Sequence, residues 1–226
     1  MMISDLDILL PTGRQRLHNL LFQIRAILSS PVKARPVVMM GARWPEFLDA
    51  LSTDERDRIL ICWNAPDVPE LKGQQKVEWA LENLILAPWF AYFSDDDALL
   101  PWGLEALMQN NQGVSMVMGR VLGVSRKNHL DFTPYAVNKA IVRNHCSNAG
   151  TIYKTEDVLK LERPYLNLAE PASDWEFIER MAKNHNHRII PDVISVLTLY
   201  EMEQFPTDVQ RVIKQHNHPW MAAVAC

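Results

Sequence analysis

PWFAYFSDDDALLPW, residues 88–102, decides how the rest of the chain is read. Trp89 to Phe93 are apolar without a break, the composition of a strand buried on both faces. Asp95, Asp96 and Asp97 follow within two residues, and Pro101 stands where a helix opens. Adjacent carboxylates repel one another, so the cluster needs a cation or a set of donors beside it. An all-oxygen donor set suits a hard divalent ion, Mg²⁺ or Mn²⁺, that keeps positions free for phosphate oxygens. The plainer reading makes Asp97 or a neighbour the cap of the helix near Pro101, with the other acids solvated.

Working outward, strands and helices alternate. Asp7 to Leu10 reads as a first strand ended by Pro11-Thr12-Gly13, and Arg14 to Leu28 as a helix with Leu17, Leu20, Leu21, Ile24, Ile27 and Leu28 on one face. Pro36 to Met40 is a second strand followed by a short helix through Phe47, Leu48 and Leu51; Arg58 to Trp63 is a third strand. Asn64 to Pro69 is loop, Gln74 to Leu86 helix, and Trp89 to Phe93 the fourth strand. Beyond the acids, Val114 to Val124 reads as strand and Thr151 to Leu161 as a turn into a helix. Asp174 to Lys183 reads as helix, Arg188 to Tyr200 as extended chain and Pro206 to His216 as a last helix. The expected fold is therefore α/β, a mostly parallel sheet with helices on both faces, whose ligands collect at the C-terminal strand ends.

Composition sets bounds on function. With 226 residues and 48% apolar content there is room for one domain: residues 1–100 as a nucleotide-binding half, 101–204 as an acceptor-binding half, and 205–226 as a C-terminal helix and tail. A formal charge of −4 argues against nucleic-acid binding by overall charge. Cys62, Cys146 and Cys226 are an odd number at unrelated spacings, the usage of free thiols in a reducing compartment. Asp5 and Asp7 precede the first apolar run, no basic leader is present, and no apolar run reaches the ~20 residues of a membrane span, so a cytoplasmic location is expected.

WFAYFSDDDALLPWGLEAL, residues 89–107, resembles the segment of family 2 glycosyltransferases of the GT-A fold in which a strand ends in an Asp-x-Asp type motif before a proline and an amphipathic helix. Three other stretches stand in matching order. DILLPTGR (7–14) is similar to that family's first strand and Pro-Thr turn, and GQQKVEWALENLILA (73–87) to the glycine and basic residue that open the helix before the metal motif. NAGTIYKTEDVLKL (148–161) with SDWEFIERMAKNHNHRIIP (173–191) resembles the acceptor-side segment and the Glu-Asp helix that carries the catalytic base.

The resemblance implies a metal-dependent, inverting transfer of a sugar from a nucleotide-diphospho-sugar, UDP-linked by preference, to an acceptor hydroxyl. It implies Asp174 as the base that takes the hydroxyl proton, with Glu176 in reserve. Pro11, Thr12, Arg14, Lys76 and Asp95 would contact the nucleotide-sugar; Arg14 and Lys76 read equally well as solvated helix residues. Counting back from Pro101 puts the motif on Ser94 and Asp96, whereas a literal match selects Asp95 and Asp97. Asp96 is the favoured metal ligand, Asp95 a ribose or metal contact, and Asp97 is divided between a metal contact and a helix cap. The family's aspartate after the second strand is missing from VVMMGARW, leaving Asp67 as a substitute, and Ser173 stands for the usual glutamate.

Other features carry weaker signals. Trp102 and Trp175 abut the metal and base segments as candidate acceptor walls, although tryptophan is more often core. Residues 120–145 hold Arg120, Arg126, Lys127, Lys139 and Arg143 against the single acid Asp131: a solvated loop, or an acceptor surface for a phosphorylated glycan, a lipid-linked diphosphate or DNA with a flipped hydroxymethylated base. The His-x-His pairs at 185–187 and 216–218 lack further ligands at zinc spacing. Two further readings stay open: a non-catalytic nucleotide-sugar-binding module, and a sugar-nucleotide transferase, the latter disfavoured because PTGRQR has one glycine where a phosphate loop needs several.

Overall fold

Leu6, Ile8 and Leu10 point to one apolar layer and Leu9 to the other, so the first strand is buried on both faces and must lie inside a sheet. A computed structural model describes residues 4–13, 16–66, 73–84, 86–95, 97–124, 132–134, 141, 147–161 and 173–198. In it β1 (Leu6–Pro11), β2 (Ala34–Met39), β3 (Leu60–Cys62) and β4 (Trp89–Tyr92) form a parallel half-sheet in the order β3-β2-β1-β4. The sheet continues as β8 (Thr151–Lys154), β6 (Met116–Val124), β9 (His187–Thr198) and β5 (Asp97–Leu99), with β7 (Phe132–Pro134) beside β6. β8 is antiparallel to both its neighbours, β6 and β9 run parallel, and β5 returns antiparallel to β9.

Helices cover both faces, as the alternation requires. α1 (Leu17–Leu28), α2 (Pro45–Asp49) and α5 (Gly103–Gln109) pack over Ile8, Val38, Phe93 and Ile194; α4 (Gln74–Asn83), α6 (Thr155–Val158) and α7 (Ser173–Asn184) pack over Leu9, Val37, Phe90 and Tyr153. A further helix, α3 (Thr53–Asp57), starts at a capping box in which Ser52 and Glu55 exchange side-chain bonds with each other's backbone N–H.

Two expectations are corrected. Residues 151–154 are strand rather than the start of a helical turn: Thr-Ile-Tyr prefer a pleated, buried setting, and β8 fills the place between β4 and β6. The acids do not lead straight into a helix either. Asp97 begins β5, and α5 starts only at Gly103 with Trp102 as its N-cap residue, so Asp97 does not cap it. The expected helix at 206–216 lies outside the described residues.

Asp7, fully buried, is held at the N-terminal end of β1. Arg35 reaches it through Nε at 2.9 Å and Nη2 at 2.7 Å, and the Ala87 N–H (2.8 Å) and Ser4 hydroxyl (3.0 Å) also donate to it. This closed set fixes β1 against β2 and the approach to β4, on the edge of the sheet away from the acids. Cys62 is a buried free thiol at the end of β3, and burial pushes its pKa up despite the nearby Arg35.

Candidate functional site

β1 and β4 are parallel with Leu9 opposite Tyr92, and the Phe93 N–H donates to the Leu9 carbonyl at 3.0 Å. Continuing that register brings Thr12 level with Asp95 at the C-terminal edge. There the Thr12 hydroxyl donates to Asp95 Oδ2 at 3.2 Å, and Arg16 Nη1 lies 3.2 Å from Asp95 Oδ1. The Pro-Thr turn and the aspartate loop are thus one structure. α1 points its N-terminus at the same place, so its backbone dipole adds to the cation.

The acid loop is a turn closed on itself. The Asp97 N–H donates to the Ser94 carbonyl at 3.2 Å, and the Asp97 carboxylate accepts from the Ser94 N–H at 2.7 Å. Asp97 is 5% exposed and faces inward, so its position favours shaping the turn over reaching an ion. Asp95 keeps 15% of its side chain exposed beside Arg16. Adjacent carboxylates with one partly open are a donor set that suits a hard divalent cation. Among the described residues there is no group of three metal-ligating side chains, and Asp96 lies outside them.

α1 supplies donors to the loop's backbone. Asn19 Nδ2 donates to the Asp95 carbonyl at 3.0 Å, and Gln23 Nε2 donates to the carbonyls of Ser94 and Asp97, both at 2.5 Å. The Gln23 Oε1 is buried with no partner among the described residues, an arrangement that costs about 1–3 kcal/mol. Arg16, Asn19 and Gln23 did not stand out in the sequence; their one signal is three polar residues at helical spacing beside an apolar face.

α4 is tied in from the other layer. Lys76 is buried, and its ammonium donates to the Thr12 carbonyl at 2.8 Å. A side chain at Gly73, the N-cap residue of α4, would lie 2.9 Å from Pro11 Cγ and 3.1 Å from the Tyr92 hydroxyl oxygen, so only glycine permits this approach. Pro11 and Thr12 are themselves buried.

The acceptor-side residues divide. Arg120 lies on β6 just past its paired stretch with β8, at a register irregularity against β9. α7 leads into β9 at the opposite edge, where the Ser115 N–H meets the Asn186 carbonyl. Its first turn carries Asp174, Trp175 and Glu176, the last two half-buried. Its seat is the Tyr153 ring, 4.8 Å from that of Phe177. Trp102, expected as an acceptor wall, is instead core: it is 2% exposed and its indole N–H donates to the Val193 carbonyl at 2.8 Å. His185 and His187 lie at the sheet edge away from the acids. Arg14, Asp67 and Arg143 lie outside the described residues.

No family model matches this sequence, and no curated protein matches it. Solved structures do. The Staphylococcus aureus TarS 1-349 structure matches with a TM-score of 0.67 at 13% identity, over 93% of this chain and 64% of that one. Its complex with UDP-GlcNAc matches with a TM-score of 0.64 at 14% identity, over 92% and 65%. The mannosyltransferase PcManGT from Pyrobaculum calidifontis, in complex with GDP-Man and Mn²⁺, matches with a TM-score of 0.60 at 13% identity, over 90% and 59%. The fold is a GT-A-type glycosyltransferase fold. This chain spans less than two thirds of the length of each of those structures, 59–65%. Among the described residues no helix is long and apolar enough to cross a membrane.

Proposed function

We propose that the protein is a glycosyltransferase that moves a sugar from a nucleotide-diphospho-sugar, UDP-linked by preference, to an acceptor hydroxyl with inversion. The observation that carries this reading is the link from Thr12 and Arg16 to Asp95, which joins the turn after β1 and the acid loop after β4 into one polar edge. That the matching structures include complexes with UDP-GlcNAc and with GDP-Man and Mn²⁺ supports it.

The turn after β1, held from below by Lys76, would bind the nucleotide, with Arg14 and Asp67 as further contacts. Asp96 and Asp95 are the residues that would hold Mg²⁺ or Mn²⁺, and Asp97 would keep their turn closed. When bound, such an ion offsets the charge of the leaving diphosphate. Asp174, at the N-terminal turn of α7, is assigned the acceptor's hydroxyl proton, with Glu176 the reserve, while Trp175 borders the acceptor. Arg120 and Arg143 suit an anionic acceptor: a phosphorylated glycan, a lipid-linked diphosphate or DNA. Residues 1–100 are the donor half and 101–204 the acceptor half of one domain, working in the cytoplasm.

Isothermal calorimetry with UDP and Mn²⁺, paired with hydrolysis of UDP-sugars in the absence of acceptor, tests the reading. Binding and slow hydrolysis by the parent, both lost in Asp96→Asn, are expected. An Asp96→Asn protein that binds UDP and Mn²⁺ like the parent would sink the assignment, and binding without any turnover would favour a non-catalytic module.

A further inference from the structure

Three consecutive carboxylates push one another apart, and the turn from Ser94 to Asp97 has left the β4 ladder, so its carbonyls need partners elsewhere. α1 provides them. Arg16, Asn19 and Gln23 lie along one side of the helix, and between them they bind the Asp95 carboxylate and the carbonyls of Ser94, Asp95 and Asp97. Gln23 is 1% exposed, and its amide nitrogen has two hydrogens, both aimed at the carbonyls that flank the turn. Its orientation is fixed, because the reverse would set Oε1 against two carbonyl oxygens.

A methionine of similar size would fill the same space but take this donor away from the Ser94 and Asp97 carbonyls. Among the described residues Oε1 has no partner, so the glutamine's presence answers to what its nitrogen does rather than to packing. We propose that Gln23, assisted by Asn19, is a positioning residue for the diphosphate end of the nucleotide site: it holds the Ser94–Asp97 turn in place so that the partly open Asp95 carboxylate stays set for a divalent cation and a diphosphate. This rests on the nucleotide-sugar reading. It also predicts unequal effects on the two parts of the site, since the turn after β1 has a further hold in the Lys76 ammonium besides its bond to Asp95.

The test is Gln23→Met in the full chain, titrated with uridine, with UDP, and with UDP plus Mn²⁺, with thermal unfolding measured alongside. Uridine affinity is expected to stay at the parent's value while binding of UDP with Mn²⁺ weakens about tenfold or more, the usual loss when a group that orients a metal ligand is removed. A purely structural glutamine would lower the unfolding midpoint and leave the ratio of the two affinities unchanged, and that result overturns the proposal. Asn19→Ala removes one bond only; it should shift the same ratio in the same direction, and carries the test if Gln23→Met does not fold. A parent that binds neither uridine nor UDP overturns the nucleotide reading and this inference with it. A parent that binds both, with variants that match it, overturns this inference alone.

Discussion

The ammonium of Lys76 donates to the carbonyl of Thr12 at 2.8 Å, across 64 residues of sequence and from inside the protein. A cation on the first helical turns of α4 thereby holds the Pro-Thr turn at the end of β1, which in turn reaches Asp95. Lys76, which reads equally well as a diphosphate contact and as a solvated helix residue in the sequence, is buried and one of its bonds goes to the turn itself.

Lys76→Met keeps the length of the side chain and removes the donor. Loss of a hydrogen bond from a charged group should lower stability by about 1.5–3 kcal/mol in urea unfolding. Uridine binding should weaken as well, because the Thr12 turn is freed. Unchanged uridine binding in a destabilised protein would confine Lys76 to a structural part.

Gly73→Ala tests the close approach of α4 to β1. The new methyl would meet Pro11 Cγ at 2.9 Å, so something must shift, and a retreat of α4 from β1 is expected. A stability loss of about 1–3 kcal/mol is expected, as for overpacking. A crystal structure of the variant should show Lys76 withdrawn from the Thr12 carbonyl; an unshifted α4 contradicts the account.

Asp7→Ala should be among the most damaging single changes. It strips Arg35 and the Ala87 N–H of their shared partner inside the protein, and removing one member of a buried pair costs about 3–5 kcal/mol. The double variant Asp7→Leu with Arg35→Met should recover much of that loss in denaturant unfolding. A double variant no better than Asp7→Ala would show that the pair is not the source.

Asp157 predicts a pH dependence. The Lys160 ammonium at 2.7 Å and the Ser115 hydroxyl at 2.6 Å hold its pKa below the usual carboxylate range. A depressed folded-state pKa contributes stability that is present above the unfolded value, near 3.9, and is lost as pH falls below it. Ser115→Ala should therefore destabilise the protein at pH 7 and flatten the fall in stability below about pH 4. Equal losses at both pH values in thermal unfolding would refute the link.

Much of the parallel half was legible in the chain, because an unbroken apolar run or a helical stripe is a local pattern set by the geometry of its own element. Leu6–Pro11 and Trp89–Tyr92 fall within a residue or two of the expected strands, and α7 matches its expected span closely. The short pieces were not legible. β5 has three residues and β8 four, too few to show a period, and each is a strand because a distant partner offers its backbone.

The sequence by itself determined that a buried strand would deliver carboxylates to a site edge and that a Pro-Thr turn would share that edge, since composition and order are enough for both. Only the tertiary structure decided what each carboxylate meets: Asp95 the Thr12 hydroxyl and Arg16, Asp97 its own turn. The same holds for Trp102, drawn into the core by the Val193 carbonyl, and for Gln23, which binds carbonyls 71 and 74 residues away. Hydrogen bonds depend on direction and on distances of a few tenths of an ångström, and those are set by strand register and helix packing, which no local pattern records.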